Sequence, residues 1–557
     1  MKLIECVPNF SEGNDKSIID KIIEPVKSNK NVTLLDVDMG EDTNRTVVTF
    51  IGNPDDVIDT AFECIKIASK LIDMSKHSGE HPRMGATDVC PLIPLKNVSM
   101  KECILLSKTL ASKVGKQLNI PVYLYENSAT KNYRKSLSII RKGEYEGLDK
   151  KITQSQWKPD YGQSILNIKA GATAIGAREF LIAYNINLNT NNKKIATDIA
   201  LDIRESGRAR RDKNGKIIRD DKGNIIKKRG KFKFCKAVGW YIDEYNQAQV
   251  SINLTNYKKT SLHKVFEEVR KQARKRGVRV TGSEIVGLLP LQAMINSGKY
   301  YLKLQNSSTG LPECDIIETA SKSLGLSDID KFNSLDKIID FKISSESMKF
   351  KNNTITEFID HISRSTPTPG GGSVSALASA LGASLSSMVA NLSINKKELI
   401  KDYDKFISIS ENCQEYKEIF LNLIDEDSKA YDNVIKAIRL PKKTTEDNKI
   451  RYKEINNATV NAANVPLEIL EQSVSLMKQT LAISEIGNKN SITDVGVSAH
   501  LIKAAAYGAG MNVLINLKSI DKKHSDKIKQ KVDYYLSDIN DLFIKTDNIV
   551  NKYLDND

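Results

Sequence analysis

The chain has 557 residues, 40% of them hydrophobic and 27% charged, and a net charge of +14. That length is too great for one hydrophobic core, so two to four domains are expected, and the composition is that of a soluble globular protein. No uninterrupted apolar run is long enough to span a bilayer, Met1-Lys2-Leu3-Ile4-Glu5-Cys6 carries charge too early for a signal peptide, and the seven scattered cysteines contain no C-x-x-C pair. Reduced thiols in a cytoplasm are therefore expected, and a zinc-thiolate site is not.

In chain order, strands and helices first alternate. Residues 3–7 read as a strand, 15–24 as a helix, and 33–37 and 46–51 as strands. Residues 55–72 show helical spacing at Val57, Ile58, Ala61, Phe62, Ile65 and Ala68, and 121–125 reads as a strand. A second run repeats the order, with strand 180–188, helix 195–204, strands 237–241 and 249–254, helix 261–276 and strand 279–286. Two β-α-β-β-α-β runs predict an α+β N-terminal half of two ferredoxin-like subdomains, 1–180 and 181–343. Each is expected to be an antiparallel sheet with helices on one face, and the cleft between them to form a pocket.

Residues 344–353 read as a polar linker, after which strand signals vanish. Helices are expected over 354–362, 373–392, 403–438, 445–479, 498–515 and 528–553, which makes 354–557 an all-α helical bundle. Small residues from Ala376 to Ser384 and from Ala504 to Gly510 thin two helix surfaces, so neighbours can approach closely. A helix-mediated homo-oligomer is the expected assembly.

The charge excess is local. Residues 204–236 hold fourteen lysines and arginines against four acids, a net of +10. They include a near-repeat, 212–218 followed by 221–226, whose Asn-Gly and Gly-Asn pairs suggest hairpin turns. A solvated insertion near 208–233 accounts for this, with attraction of polyanionic ligands as the functional alternative. Nucleic-acid binding is not expected, because interleaved aromatics are nearly absent before Phe232.

Candidate chemistry begins at His77-Ser78-Gly79-Glu80-His81-Pro82-Arg83-Met84-Gly85. Two imidazoles that titrate near neutrality suit proton transfer, and Arg83 could hold an anion. His77-x-x-Glu80-His81 also matches an inverted zinc-peptidase pattern, so a metallohydrolase is the alternative reading. Zinc binding by that pattern needs a continuous helix, which Gly79 and Pro82 disfavour. Asp36 and Asp38 end a strand, where an acid could orient a histidine or bind an amine. Asn9-Phe10-Ser11-Glu12-Gly13 could offer backbone amides to an anion. In the helical part, Gly370-Gly371-Gly372-Ser373 opens a helix and exposes amides at its positive end. Asp425, Glu426 and Asp427 lie inside another helix, either solvated or turned inward at raised pKa, and Asn488, Asp494, Asn512 and Asn516 add polar groups in apolar surroundings.

Several of these segments share one resemblance. Glu5 to Gly13, Leu34 to Asp38, the 77–85 stretch, Pro121-Val122-Tyr123-Leu124-Tyr125 and Gly239-Trp240-Tyr241 resemble glutamate formimidoyltransferases. Thr368 to Val374, Asp425-Glu426-Asp427 and Leu440-Pro441-Lys442 resemble formimidoyltetrahydrofolate cyclodeaminases. Together, over essentially the whole chain, they resemble the fused formimidoyltransferase-cyclodeaminase family of histidine degradation. The resemblance implies transfer of a formimidoyl group from formimidoylglutamate to tetrahydrofolate, then ring closure to methenyltetrahydrofolate with loss of ammonia. It implies polyglutamylated tetrahydrofolate as co-substrate, no metal, and a homo-oligomer. It places the transferase proton carrier on His81 with Asp38 and Arg83 beside it, and the cyclodeaminase acid on Asp427 rather than Asp425. The folate-binding segment falls on Gly162-Gln163-Ser164-Ile165-Leu166-Asn167-Ile168-Lys169-Ala170-Gly171, whose side chains differ from those of animal members. The basic insertion has no counterpart in those members, and a basic surface there could retain a folate intermediate by its glutamate tail.

Overall fold

A computed structural model describes residues 2–41, 43–79, 81–221, 223–242, 246–329, 331–344, 350–518, 520 and 522–555. The chain divides into two compact units, 1–293 with 324–342, and 294–323 with 343–557. The first is an α/β region with sheets and the second is all-helical.

The first unit opens with β1 (Leu3–Cys6), β2 (Asn9–Phe10), α1 (Lys16–Ser28), β3 (Val32–Gly40), β4 (Arg45–Gly52), α2 (Pro54–Leu71) and β5 (Thr87–Lys96). It continues with α3 (Met100–Gln117), β6 (Val122–Glu126), the short helices α4 (Leu137–Ile140) and α5 (Leu148–Ile152), and β7 (Thr173–Ala177). Asp15 caps α1, which buries Ile19, Ile22, Ile23 and Val26. Asn53 caps α2, whose first-turn proline and buried Val57, Ile58, Ala61, Phe62, Ile65 and Ala68 follow the spacing read from the sequence. The strands form one seven-stranded sheet in the order β1-β4-β2-β5-β7-β6, with β3 paired to β4 and β1 also paired to β5.

This sheet departs from the expected antiparallel layer. β5 carries Pro91 and Pro94, which mask its strand signal, yet it runs antiparallel to β1 and parallel to β7. It is β5 that joins β1 after α2. The 121–125 segment becomes β6, added beyond β7 in parallel.

A second sheet follows from β8 (Ile182–Leu188), α6 (Lys193–Ile203), β9 (Arg208–Ala209), β10 (Lys227–Lys228), β11 (Cys235–Ile242), β12 (Gln247–Leu254), α7 (Leu262–Arg274) and β13 (Val280–Val286). Its order is β11-β12-β8-β13, all antiparallel. The basic insertion is a folded knob based on the β9–β10 ladder. Its repeat is Arg211–Ile218 then Arg219–Ile226, not the offset pair read from the sequence. The two isolated bridges Arg211 to Ile217 and Arg219 to Ile225 show this register, as do Gly215 and Gly223, both at positive φ. Arg211 and Arg219 each donate to the carbonyl of the following glycine, at 2.6 and 2.8 Å. Within the knob the backbone of 210 donates to 226, 226 to 218, and 218 to 210, a closed triangle that holds three chain segments together.

Past β13 the chain forms α8 (Leu291–Leu304), α9 (Glu313–Leu324), α10 (Ser334–Lys337) and α11 (Ile339–Ser344). Residues 294–323, read from the sequence as part of 181–343, pack within the helical unit. Lys299 reaches Glu411 at 2.8 Å and Ser308 donates to Asn391 at 2.6 Å. Polar pairs so far apart in sequence leave no periodic trace.

The helical unit comprises α12 (Ile355–Ile362), α13 (Gly371–Ile394), α14 (Tyr403–Ile438), α15 (Thr445–Ile486), α16 (Ile492–Leu517) and α17 (Lys522–Leu554). By length and composition α13 could cross a membrane, but 61% of its most apolar window is buried inside the unit. The small residues explain this: a Cβ at Gly382 would stand 2.6 Å from Ile502 Cγ1, so α13 and α16 touch nearly backbone to side-chain stem. Buried hydroxyls pair α13 with α15 and α16, Ser379 with Ser473 and Ser386 with Thr480 and Ser498, each at 2.9 Å. Each satisfies a polar group that burial would otherwise penalise. Of the expected linker, residues 345–349 lie outside the described chain.

Candidate active sites

In the first unit the histidine loop is held by the turn between β3 and β4. Asn44 donates its Nδ2 to the Ser78 carbonyl at 2.8 Å, and a Cβ at Gly79 would stand 2.6 Å from the Thr43 carbonyl oxygen. His77 Nε2 donates to the Asn44 carbonyl oxygen (3.0 Å), and His77 Nδ1 accepts from Arg83 Nε (3.1 Å). A guanidinium only donates, so this fixes the neutral tautomer of His77 and leaves neither nitrogen free for a metal. Glu80, the carboxylate of the zinc pattern, lies outside the described residues. His81 differs: Nδ1 meets the Pro82 carbonyl oxygen at 2.8 Å, and Nε2 makes no hydrogen bond to a described residue. Burial, then the positive charges of Arg45 and Arg141, push His81 down to about 4. It is a neutral imidazole at physiological pH.

Arg83 is not the open anion grip that its position in the sequence suggested. Its side chain donates to His77 Nδ1 and carbonyl, to Glu144 at 3.2 Å, and to both oxygens of Glu146 at 2.9 and 2.6 Å. All five N–H donors are engaged, and the residue ties the 144–146 loop to the histidine loop. Asp38 lies on β3 opposite Val47 and makes no hydrogen bond to His81. Burial and repulsion from Asp36 raise its pKa against the pull of Lys337. The 9–13 loop offers few free amides, since the backbone of Ser11 donates to Ala86 and that of Gly13 to Asn44 Oδ1, both at 2.9 Å.

The 162–171 segment, by contrast, does meet the histidine loop. Ala172 donates to the Met84 carbonyl and Ala86 to the Ala170 carbonyl, both at 2.9 Å. Gly171 and Gly85 make this approach possible, because a Cβ on either would lie 2.3 or 2.2 Å from a facing carbonyl oxygen. Asn167 folds the segment back with its Oδ1 on the Ala170 amide at 2.9 Å. Upstream, the buried Arg134 pairs with Asp160 at 2.8 Å and fixes the chain that enters the segment. Ile165 and Ile168 stand 66% and 67% exposed, an apolar rim beside the histidine loop.

Sequence reading missed the charge cluster next to His81. Asp88 is completely buried, and its Oδ2 accepts from Arg45 Nη1 at 2.7 Å and from Arg141 Nη2. Its Oδ1 accepts from the Met84 amide at 3.1 Å and from Arg141 Nε at 3.3 Å. Burial pushes the carboxyl up, but Arg141 and Arg45 together hold it below its ordinary value. Nothing in local sequence links residues separated by 43 and 53 positions.

In the helical unit the acidic triplet separates by role. Asp425 is 2% exposed and accepts the backbone amides of Phe350 and Lys351 at 2.8 and 3.0 Å, anchoring the chain that enters the bundle. Glu426 is exposed. Asp427 turns to the N-terminus of α13, where Ser373 Oγ donates to its Oδ2 at 3.0 Å. A Cβ at Gly372 would stand 2.2 Å from Asp427 Oδ1, and one at Gly371 would stand 3.0 Å from Asn512 Nδ2. The glycine run, Asp427 and Asn512 thus converge from α13, α14 and α16. Burial raises the Asp427 pKa despite the Ser373 hydrogen bonds. Asn488 lies elsewhere, its backbone amide on Ser393 at 2.8 Å, and Asn516 Nδ2 caps the Ala462 and Asn512 carbonyls.

Three family profiles match the chain in succession. The formiminotransferase domain, N-terminal subdomain, covers residues 3–178, the formiminotransferase domain 183–344, and the formiminotransferase-cyclodeaminase profile 354–534. The chain is 39% identical over 519 residues to the formimidoyltransferase-cyclodeaminase of Dictyostelium discoideum, covering 93% of this chain and 92% of that one. It is 38% identical over 540 residues to that of Mus musculus, covering 97% and 96%. It is 43% identical over 305 residues to the glutamate formimidoyltransferase of Streptococcus pyogenes serotype M1, covering 55% of this chain and 95% of that one.

Proposed function

The chain belongs to the formimidoyltransferase-cyclodeaminase family, and from that premise we propose how its residues divide the work. It is a bifunctional folate-dependent enzyme, a glutamate formimidoyltransferase and a formimidoyltetrahydrofolate cyclodeaminase. The assignment of domains to residues 1–180, 181–343 and 354–557 is ours, as is the reading of the first two as ferredoxin-like.

In the transferase, the folate N5 attacks the formimidoyl carbon and loses its proton, and the carbon–nitrogen bond to glutamate then breaks as that nitrogen gains one. We assign His81 to carry this proton, because it enters as a neutral base whose Nε2 is bonded to no described residue. Arg83 positions the loop rather than gripping substrate, and Asp38 is assigned the cationic amidine of the donor. Residues 162–171 hold the folate, with Ile165 and Ile168 as apolar surface for its rings. In the cyclodeaminase, N10 attacks the same carbon, a five-membered ring closes, and the former imino nitrogen departs as ammonia. Asp427, whose carboxyl burial pushes above its ordinary value, gives the proton that makes it leave.

The observation that carries this reading is the convergence of Gly372, Ser373 and Asp427 in a bundle whose other acid at that point, Asp425, is engaged by the backbone. The engaged nitrogens of His77 support chemistry without a metal. A cytoplasmic homo-oligomer acting on polyglutamylated folate completes the proposal. Exposed Val374, Leu381 and Met388 at seven-residue spacing on α13, with Met511 and Ile515 on α16, supply a face for a second copy.

The test is the absorbance of methenyltetrahydrofolate on mixing enzyme, tetrahydrofolate and formimidoylglutamate. His81→Ala should block the first step while supplied 5-formimidoyltetrahydrofolate still cyclises, and Asp427→Ala should do the reverse. Loss of both activities in each folded variant would overturn the two-site assignment.

A further inference from the structure

We propose that Arg141, paired with Arg45 on the buried carboxylate of Asp88, binds the α-carboxylate of the formimidoylglutamate donor and selects for it. The inference rests on the transferase reading of the His81 site.

Two guanidiniums share one carboxylate, and the remaining donors of Arg45, Nε and Nη2, go to the neutral Oδ1 of Asn9 at 3.1 and 2.7 Å. Among the described residues this buried cluster has one surplus positive charge and lacks the counter-charge that burial ordinarily demands. Arg141 is the member that reaches the surface. Its side chain is 14% exposed, and its Nη1 donates to no described residue. The cluster is also held rigidly. Arg83 locks Glu144 and Glu146, and the Tyr145 amide donates to the Arg83 carbonyl at 3.0 Å, so the loop bearing Arg141 is fixed to the loop bearing His81.

The chemistry of the donor then selects which anion this charge meets. In formimidoylglutamate the α-carboxylate is attached to the carbon that bears the reacting nitrogen. Any group that delivers a proton to that nitrogen has the α-carboxylate beside it. The γ-carboxylate lies further along the side chain, and the carboxylates of the folate tail lie beyond its benzoyl ring, remote from N5. A forked guanidinium within electrostatic reach of the proton carrier therefore fits the α-carboxylate.

The experiment compares three donors on the full-length enzyme: formimidoylglutamate, its α-carboxamide and its γ-carboxamide. Wild type should lose about 10- to 100-fold in kcat/KM on the α-carboxamide, the worth of a hydrogen bond to a charged group. Arg141→Gln should raise KM for formimidoylglutamate by a similar factor and abolish the preference for acid over α-amide. Arg141→Lys should recover part of it, since charge returns without the fork. An unchanged denaturant unfolding curve for the first unit reports that each variant is folded, and cyclisation of supplied 5-formimidoyltetrahydrofolate reports that the helical unit is intact. The proposal is overturned if wild type does not distinguish acid from α-amide, a result that needs no variant. It is equally overturned if Arg141→Gln keeps the preference, or if the preference it loses is for the γ-acid. Failure of the underlying reading looks different, since wild type would then transfer from none of the three donors.

Discussion

Gly372 and Asp427 occupy the same few ångströms: a Cβ on the glycine would stand 2.2 Å from the carboxylate Oδ1. The end of α13 therefore closes on the acid only because residue 372 lacks a side chain. Asp427 gains the Ser373 hydroxyl and the positive end of a helix, yet burial still keeps its pKa raised. The acid is poised between those influences.

Gly372→Ala should therefore impair cyclisation while leaving the helix intact. Gly372 lies in the first turn of α13, and alanine is the better helix former, so unfolding of the helix is not the expected failure. The carboxylate must swing away from Ser373, and cyclisation should fall at least about tenfold, the lower range for a misplaced proton donor. Transfer to tetrahydrofolate serves as the control. Full cyclisation with a retained Asp427 position in a crystal structure of the variant would falsify the account.

Asp427→Asn should cost about 100-fold or more in cyclisation, because the amide has no acidic proton to give. Stability should move the other way. A carboxyl whose folded pKa is raised favours the folded state below the unfolded value of 3.8, and that contribution is lost as pH rises through the folded pKa. Above that range the buried carboxyl costs stability, and asparagine, which has no charge to bury, removes that cost. Thermal melts should show the variant at or above wild type at pH 7.5, with the difference shrinking toward pH 4. A melting temperature well below wild type at neutral pH would mean that the carboxylate stabilises the bundle.

Asp88 makes the opposite prediction. It is fully buried between two guanidiniums, and Asp88→Asn leaves Arg45 and Arg141 with no counter-charge. Removing one partner of a buried pair typically costs about 3–5 kcal/mol. Denaturant unfolding of the first unit should show a loss of that order, and a loss under about 1 kcal/mol would show that the arginines had rearranged into solvent. The double variant Asp88→Asn, Arg141→Gln should recover part of it.

The contrast between Asp88 and Asp427 shows what the sequence disclosed. Asp427 sits in a local pattern, a triplet inside one helix, and the glycine run that it faces is a local pattern too; only their meeting needed the fold. The division into an α/β half and a helical half was likewise legible, because it depends on periodicity within each segment. The Asp88 cluster was invisible. It joins single residues of β4, β5 and the turn after α4, and β5 was itself obscured by Pro91 and Pro94. Arg83 misled for the same reason. Its neighbours in sequence suggested an open cation, whereas Glu144 and Glu146, distant in sequence, close it.

The pH dependence of transfer should report the same cluster. His81 works as a base only when neutral, and in the free enzyme burial, then Arg45 and Arg141, push it from 6.5 down to about 4, against Asp88 and the Pro82 carbonyl, which act upward. The acid limb that it imposes on kcat/KM should therefore lie near pH 4 rather than near neutrality. Arg141→Gln removes one of the two positive charges, so the histidine pKa rises and the limb moves to higher pH. Donor binding does the same thing electrostatically, since a carboxylate seated on Arg141 offsets its charge. The limb of kcat, which reports the substrate complex, should accordingly stand above that of kcat/KM in wild type, and the gap should narrow in the variant. Folate nitrogens titrate identically with both enzymes, so any displacement between the two profiles belongs to the protein. Superimposable profiles would place the Arg141 charge out of reach of His81.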